Sequence, residues 1–516
     1  MAKSIHFVPN DPRAAAFKAA RKQAPRKDRP AGRATFDTGT MPAAKEYPAG
    51  SDGALAWQSR EAALAAVEMF EGLHGPVTKW ARSSRTRTLN LGRDQGVDLN
   101  AYYDGESVMF FHHPVGARTF FSGASTDVVS HEVGHALLDT IRPALWDSNY
   151  SEVAAFHEAF GDCIAMLTAL ADDEIRWRMV KRVGQRNFVE TWGEDLAWAV
   201  RKVLGKKHNA SKPRQARNTF QWALPATLPD DGPGGALINE PHCFGQVFTG
   251  CFYDVIAALY AKGPKNEAAL WNAAGVAAKA LFAAAKAAAI TPRFYQAVGR
   301  AMALHDTSDA GVLRGAVHDA FDNHGIALGS AATAVPRAMV AGRRLRSAAV
   351  ASPALMPATS ADLRLRLGAA RGAPLHVRAV ALGGERFVEA SHQRRVDLTG
   401  LAGYLRGVSA LGSEPVLVAP VRGAMAIMSS VPEATATSDE VQSFVRGLVA
   451  RDEIAHGAAR TAASGRGVPG RRAGVEAAAP GGAVTHKVVR DQSGGLLRRV
   501  RFACGCGRTH FRLPID

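Results

Sequence analysis

His131-Glu132-Val133-Gly134-His135 constrains the fold of this chain more than any other stretch. As a pattern it reads H-E-x-x-H. On an α-helix, residues four apart lie on one face, one turn along. Two imidazoles so placed can grip one zinc ion, with Glu132 beside it to act on water at the open position. The surroundings favour a helix. Ser125-Thr126-Asp127 supplies small capping side chains and an acid near the positive end of the helix dipole. Pro143 stops the helix after about Ile141.

A hydrolytic zinc site takes three protein ligands and keeps one position for water. The arrangement H-E-x-x-H-x-x-G-x-x-H is absent, because Leu138 holds the Gly position and Ile141 the last His position. A second predicted helix, 151–170, carries Glu158 and Asp162 four apart and so facing the same way. Glu158 can be the third ligand. Asp162 can accept the other ring N–H of a zinc-bound histidine, His131 foremost, and so fix its tautomer. The loop at 142–150 lets the two helices pack antiparallel. His157 lies about 100° round the helix from Glu158 and reads as a packing or surface residue. His112 and His113 read as loop residues.

The match extends on both sides. Asn100-Ala101-Tyr102-Tyr103-Asp104-Gly105, Ser122 to Ser130, Trp192-Gly193-Glu194-Asp195 and a helix opened by His242 join the two helices. Together they make the chain resemble the thermolysin-like zinc metallopeptidases, the Glu-ligand branch of the H-E-x-x-H enzymes. The similarity covers roughly residues 55–327 and is most specific around 98–162. It implies an α+β, two-lobed zincin-type fold, with a small β-containing N-terminal lobe and a helical C-terminal lobe. It also implies a zinc-dependent endopeptidase with His131, His135 and Glu158 on the metal. Glu132 would be the general base and His242 the transition-state donor, with Tyr150 beside it. Asn100, Ala101 and Tyr102 would belong to an edge strand that holds an extended peptide through main-chain hydrogen bonds.

There are departures from the family. Glu240 lies two residues before His242, and Leu237 stands where an orienting acid is expected. Ala169 stands where the family has a calcium-binding acid, while Asp127 is retained and Asp172, Asp173 and Glu174 are near, so calcium is left open. Arg214 and Arg217 are the candidates for a substrate-side arginine.

The 516 residues suffice for two or three domains. Further helices are predicted at 174–183, 192–204, 243–261, 267–288 and 292–304, so 124–327 is mostly helical. The expected organisation begins with a basic tail without fixed structure (1–50), an N-terminal peptidase lobe (51–124) and a helical zinc-binding lobe (125–328). A separate small α/β region (329–456), a Gly/Ala/Arg-rich linker (457–484) and a basic C-terminal hairpin (485–516) follow. No run of eighteen apolar residues occurs, so no transmembrane segment is expected. No signal peptide is recognised, which points to a cytoplasmic protein or one exported by a signal-independent route.

Cys163, Cys243, Cys251, Cys504 and Cys506 are too sparse for a disulfide framework. Cys504-Gly505-Cys506 with His510, and His486 as a further partner, could form a second metal group, against the simpler reading of a turn with free thiols. The net charge is +16, and it sits at the ends: residues 1–33 carry a net +7 and residues 454–516 a net +8. Such ends can make weak contacts with anionic surfaces or nucleic acid, or act as solvated tails. Two other functions compete with a peptidase: a catalytically inactive relative serving as a binding or scaffolding module, and a basic-tailed nucleic-acid-associated protein. The intact Glu132 argues against the first, and no zinc finger or helix-turn-helix pattern supports the second.

Overall fold

Ser51 opens the first long helix, its hydroxyl accepting from the backbone N–H of Ala54 at 3.3 Å. This helix, α1 (Asp52–His74), buries Ala63, Val67 and Phe70 along one face. The computed structural model describes residues 4–14, 20–185, 187–306, 308, 310–329, 360–367, 369–372, 374–382, 385–421, 424–427, 434–455, 484–491 and 494–503. They form an α+β protein.

The predicted helices correspond to α2 (Thr126–Ile141), α3 (Ser151–Ala171), α4 (Asp173–Met179), α5 (Glu194–Val203), α6 (Pro241–Ala261), α7 (Glu267–Ala287) and α8 (Phe294–His305). Helix α9 (Val312–Asn323) was not predicted. It starts from Gly311 at φ 57° without a capping side chain, so the usual start signal is missing. Helices α2, α3 and α6 form the centre of the molecule, and α3 is buried along almost its whole length.

The strands of the first half are β1 (Ile5–Phe7), β2 (Arg21–Gln23), β3 (Thr35–Asp37), β4 (Thr88–Gly92), β5 (Ala101–Tyr103), β6 (Ser107–Phe110), β7 (His112–Val115) and β8 (Arg118–Phe121). Two short strands, β9 (Thr191–Trp192) and β10 (Arg214–Gln215), pair antiparallel in the helical part. Beyond it come α10 (Ser360–Arg366), β11 (His376–Leu382), β12 (Glu385–Asp397), β13 (Val408–Val421), β14 (Ala424–Ile427), α11 (Ala434–Ala450) and β15 (Ile454–Ala455). The chain then forms a hairpin of β16 (His486–Asp491) and β17 (Gly494–Arg499), and a last short strand, β18 (Phe502–Ala503).

Among the described residues, two larger sheets take most of these strands, while β1–β2, β7–β8 and β9–β10 form separate two-stranded pairs. One has the order β11-β12-β13-β17-β16-β15, with β14 on β13. The other has the order β18-β5-β6-β4-β3. The C-terminal hairpin is therefore not a separate unit: β17 pairs parallel with β13, and β18 crosses to the N-terminal sheet.

The N-terminal stretch also departs from expectation. Residues 1–50 contain β1, β2 and β3, and the described part is tied down by distant partners. Thr126 N–H donates to the Asn10 carbonyl at 3.1 Å, and Ser125 Oγ donates to Asp11 at 2.9 Å. Arg29 forks onto both oxygens of Glu71 at 2.8 Å each, and Arg21 meets Asp172 at 2.5 Å. Composition alone missed this because each strand is three residues long and shows no period.

Among the described residues, three helices, α3, α6 and α7, are long and apolar enough to cross a membrane. That corrects the expectation of no transmembrane segment. The expectation rested on unbroken apolar runs, whereas an apolar helix can include acids, as α3 includes Glu158 and Asp162. In this fold the apolar stretch of α3 is wholly buried within the protein, and those of α6 and α7 are largely so. The predicted linker at 457–484 and the Cys504-Gly505-Cys506/His510 group lie, apart from Val484, outside the described residues.

Candidate metal centre

Helices α2 and α3 approach closely because glycines face each other where they pack. A Cβ on Gly134 would fall 2.9 Å from the Cα of Gly161, and one on Gly161 would fall 2.7 Å from Nδ1 of His131. No larger residue fits at Gly161 without moving that imidazole.

This approach brings the predicted ligands together. His131 Nε2 lies 3.1 Å from Glu158 Oε2, and His135 Nε2 lies 3.5 Å from the same oxygen. One ligand atom from each of the three residues falls within 4.8 Å of the others. All three side chains are buried. Burial pushes the Glu158 carboxyl up, but the charges of His242 and His135 and the hydrogen bond with His131 outweigh it and hold the group well below the usual range. Two imidazole nitrogens and a carboxylate oxygen in this arrangement can hold a metal ion.

Each imidazole is fixed from behind. His131 Nδ1 lies 2.8 Å from Asp162 Oδ1. An ionised Asp162 accepts the Nδ1 proton, which leaves the Nε2 lone pair for a metal. Burial raises Asp162, yet Arg214 and His131 hold its pKa at about 2. Arg214 makes a fork, with Nε 3.0 Å from Oδ2 and a terminal nitrogen 2.7 Å from Oδ1. The β9–β10 pairing of Trp192 with Arg214 delivers this arginine. Arg217 sits elsewhere, its backbone N–H donating to Glu190 at 2.9 Å.

His135 is fixed by a residue whose place round the helix predicts only packing or surface exposure. His157 Nδ1 lies 3.0 Å from His135 Nδ1, so one ring donates to the other. Burial and the neighbouring charges of His135 and Arg499 hold His157 well below its ordinary pKa, which keeps it neutral. The available clue was Gly161. It lies four residues after His157, on the same helix face, and marks the side that touches α2.

Glu132 follows His131 on α2 and is fully buried. His242 enters from the first turn of α6, its Nε2 3.0 Å from Glu158 Oε2. Pro241 takes the first helical position, where its missing N–H costs nothing. Glu240 caps the helix, accepting from the N–H groups of His242 at 3.1 Å and Cys243 at 2.9 Å. It also meets His242 Nδ1 at 2.7 Å. Glu240 thus orients His242 from two residues away, and Leu237 is not needed for that. Burial raises the Glu240 carboxyl, but His242 and Arg451 bring it to about 2.

Other predicted site residues stand differently. The Tyr150 hydroxyl donates to the Ser413 carbonyl at 2.8 Å and accepts from the Ser413 N–H at 2.9 Å. Through these two bonds it braces the C-terminal sheet. Asn100 is buried, with Oδ1 lacking a hydrogen-bond partner and its amide nitrogen 3.4 Å from Asp98. Ala101 and Tyr102 lie in β5, as predicted, but β5 is not an edge strand: β18 pairs with it across the side away from β6. His112 lies in β7 against Asp94 at 2.8 Å, and His113 faces the Pro114 carbonyl at 2.7 Å.

A second group of carboxyls lies at the start of α2, with Asp11 and Asp127 buried and Glu194 partly buried. Asp11, Asp127 and Glu194 have oxygens within 4.8 Å of one another. The third carboxyl comes from the N-terminal stretch, while Ala169 is a buried core residue. Burial, then repulsion by neighbouring acids, raises all three: Asp11 to about 7, Glu194 to about 9, and Asp127 well above its ordinary value. Comparison of the chain with protein-family models and with curated proteins finds no match.

Proposed function

We propose that the chain is a zinc-dependent endopeptidase of the thermolysin-like kind. The observation that carries this reading is the convergence of His131, His135 and Glu158 in one buried pocket, with Glu132 on the same helix turn. Two histidines and a glutamate are a donor set used by catalytic zinc. Zinc bound there would polarise the scissile carbonyl and acidify the attacking water.

The chain's own residues supply the rest. Asp162, held ionised by Arg214, keeps His131 in the tautomer that presents Nε2. His157 does the same for His135. Glu132 takes a proton from the attacking water as the C–O bond forms, and gives it to the amine nitrogen as the C–N bond breaks. His242, steadied by Glu240, donates from Nε2 to the oxygen of the tetrahedral carbon. An extended peptide would use the backbone groups of β5 that now pair with β18, and Asn100 Oδ1 can accept a peptide N–H.

Metal analysis and a quenched-peptide library test this. The purified chain should take up one zinc ion, and Glu158→Ala should lose it. Glu132→Gln should keep the zinc and cleave peptides roughly 100- to 10,000-fold more slowly, the range for a positioned general base. A chain that takes up no zinc, or a Glu132→Gln variant that cleaves as fast as the wild type, would overturn the proposal.

A further inference from the structure

The strand that would receive substrate already has an occupant. Phe502 pairs with Tyr103 and Ala503 with Tyr102, antiparallel, on the side of β5 opposite β6. An extended peptide adding to a sheet uses the same backbone groups. The side chains follow the backbone into the site. The Phe502 ring stacks on His157 at 3.7 Å between centroids and on His135, a proposed ligand, at 4.8 Å. Trp146 meets the same ring edge-on at 5.3 Å. Arg499 lies 4.2 Å over its face, and Arg501 lies 4.9 Å over the ring of Tyr102.

The covering is tight. Beside Glu158, Glu240 and His242 there remains a cavity of about 30 Å³, walled by Phe444, Arg499 and Phe502. That is space for about one water molecule, whereas sites for drug-sized ligands run to about 300–1,000 Å³. His131, Glu132, His135 and Glu158 are all buried under this cover. A peptide bond cannot reach them while β18 is in place.

We propose that the C-terminal strand Phe502–Ala503 is a built-in, substrate-like inhibitor of the metal centre. It occupies the peptide-binding edge of β5 and places an aromatic side chain against His135 and His157. Withdrawal of this strand opens the cleft. The proposal rests on the peptidase reading and adds its regulation. It also sets the substrate class of the opened site: an extended strand, antiparallel to β5, with an aromatic residue at the position of Phe502.

The test compares the full-length wild type with Phe502→Asp, which puts a charge among buried rings, and with a chain ending at Val500. Zinc content, peptide hydrolysis and amide exchange at 101–103 are measured on each. Both variants should keep zinc, lose exchange protection at Tyr102 and Tyr103, and hydrolyse peptides at least tenfold faster than the wild type. A synthetic peptide spanning residues 494–508 should then inhibit the shortened chain competitively. The point variant keeps the test valid if the shortened chain misfolds. If the wild type cleaves as fast as both variants, in a Glu132-dependent way, the inhibitor proposal is wrong and the peptidase reading stands. If the strand is released, zinc is bound and nothing is cleaved, the peptidase reading falls and the inhibitor proposal falls with it.

Discussion

The two basic ends of the chain have similar composition and different roles in the fold. The N-terminal end neutralises its cations against carboxylates: Arg21 on Asp172, Arg26 on Glu68, Arg29 on Glu71. Its backbone and Asp11 engage the start of α2, away from the metal ligands. The C-terminal end differs in where it goes. Arg499 and Arg501 lie over aromatic rings beside the site, and the strand beyond them enters the site itself. One end is a brace and the other a cover. Net charge cannot tell these roles apart; the partners of each side chain do.

The largest effect is expected at the cover, where Phe502→Asp should raise peptide hydrolysis tenfold or more while lowering the unfolding free energy by about 2–3 kcal/mol, the worth of one buried aromatic side chain. At the brace, Arg29→Ala should cost stability alone. It removes a nearly buried fork to Glu71, so denaturant unfolding should show a loss of about 2 kcal/mol with peptide hydrolysis unchanged. A rise in hydrolysis for Arg29→Ala would erase the distinction between the two ends.

The acid cluster at the brace gives a pH test. Asp11 has a folded pKa of about 7, above its ordinary 3.8, so the folded state binds the proton more tightly than the unfolded chain. Its contribution to stability is present at low pH and is lost as pH rises through about 7. Glu194, at about 9, extends the loss upward. With chelator present, thermal melts of the wild type should fall between pH 6 and pH 9. Asp11→Asn, which keeps an acceptor for Ser125 but no charge, should lose about 1–2 kcal/mol less over that range. Equal slopes would remove the acid cluster from the account. The smallest effect is expected for Tyr150→Phe. It should cost about 1 kcal/mol of stability through the lost Ser413 hydrogen bonds and leave the rate per zinc unchanged. A large loss of rate would return Tyr150 to the catalytic group.

The adjacency of His131, His135, Glu158 and Asp162 was legible because local rules place it. Capping at Ser125 and the stop at Pro143 set α2, four-residue spacing sets the faces, and a short loop makes the helices antiparallel. His242 was legible as a helix opener. The parts missed depend on long-range contacts with no local period. Strand β18 is two residues long and meets β5 some four hundred residues earlier in the chain. Arg214 reaches Asp162 from a two-residue strand. Asp11 reaches Ser125 and Asp195 across more than a hundred residues. Gly134 and Gly161 were in plain view, but only their distance across the helix pair shows what they permit.

The most direct test uses the opened site. Zinc-loaded Phe502→Asp and the double variant Phe502→Asp/Glu132→Gln are compared on one quenched peptide. The account predicts one zinc ion in each protein, and hydrolysis at least about 100-fold slower in the double variant. Equal rates in the two proteins, or no zinc in either, would contradict it.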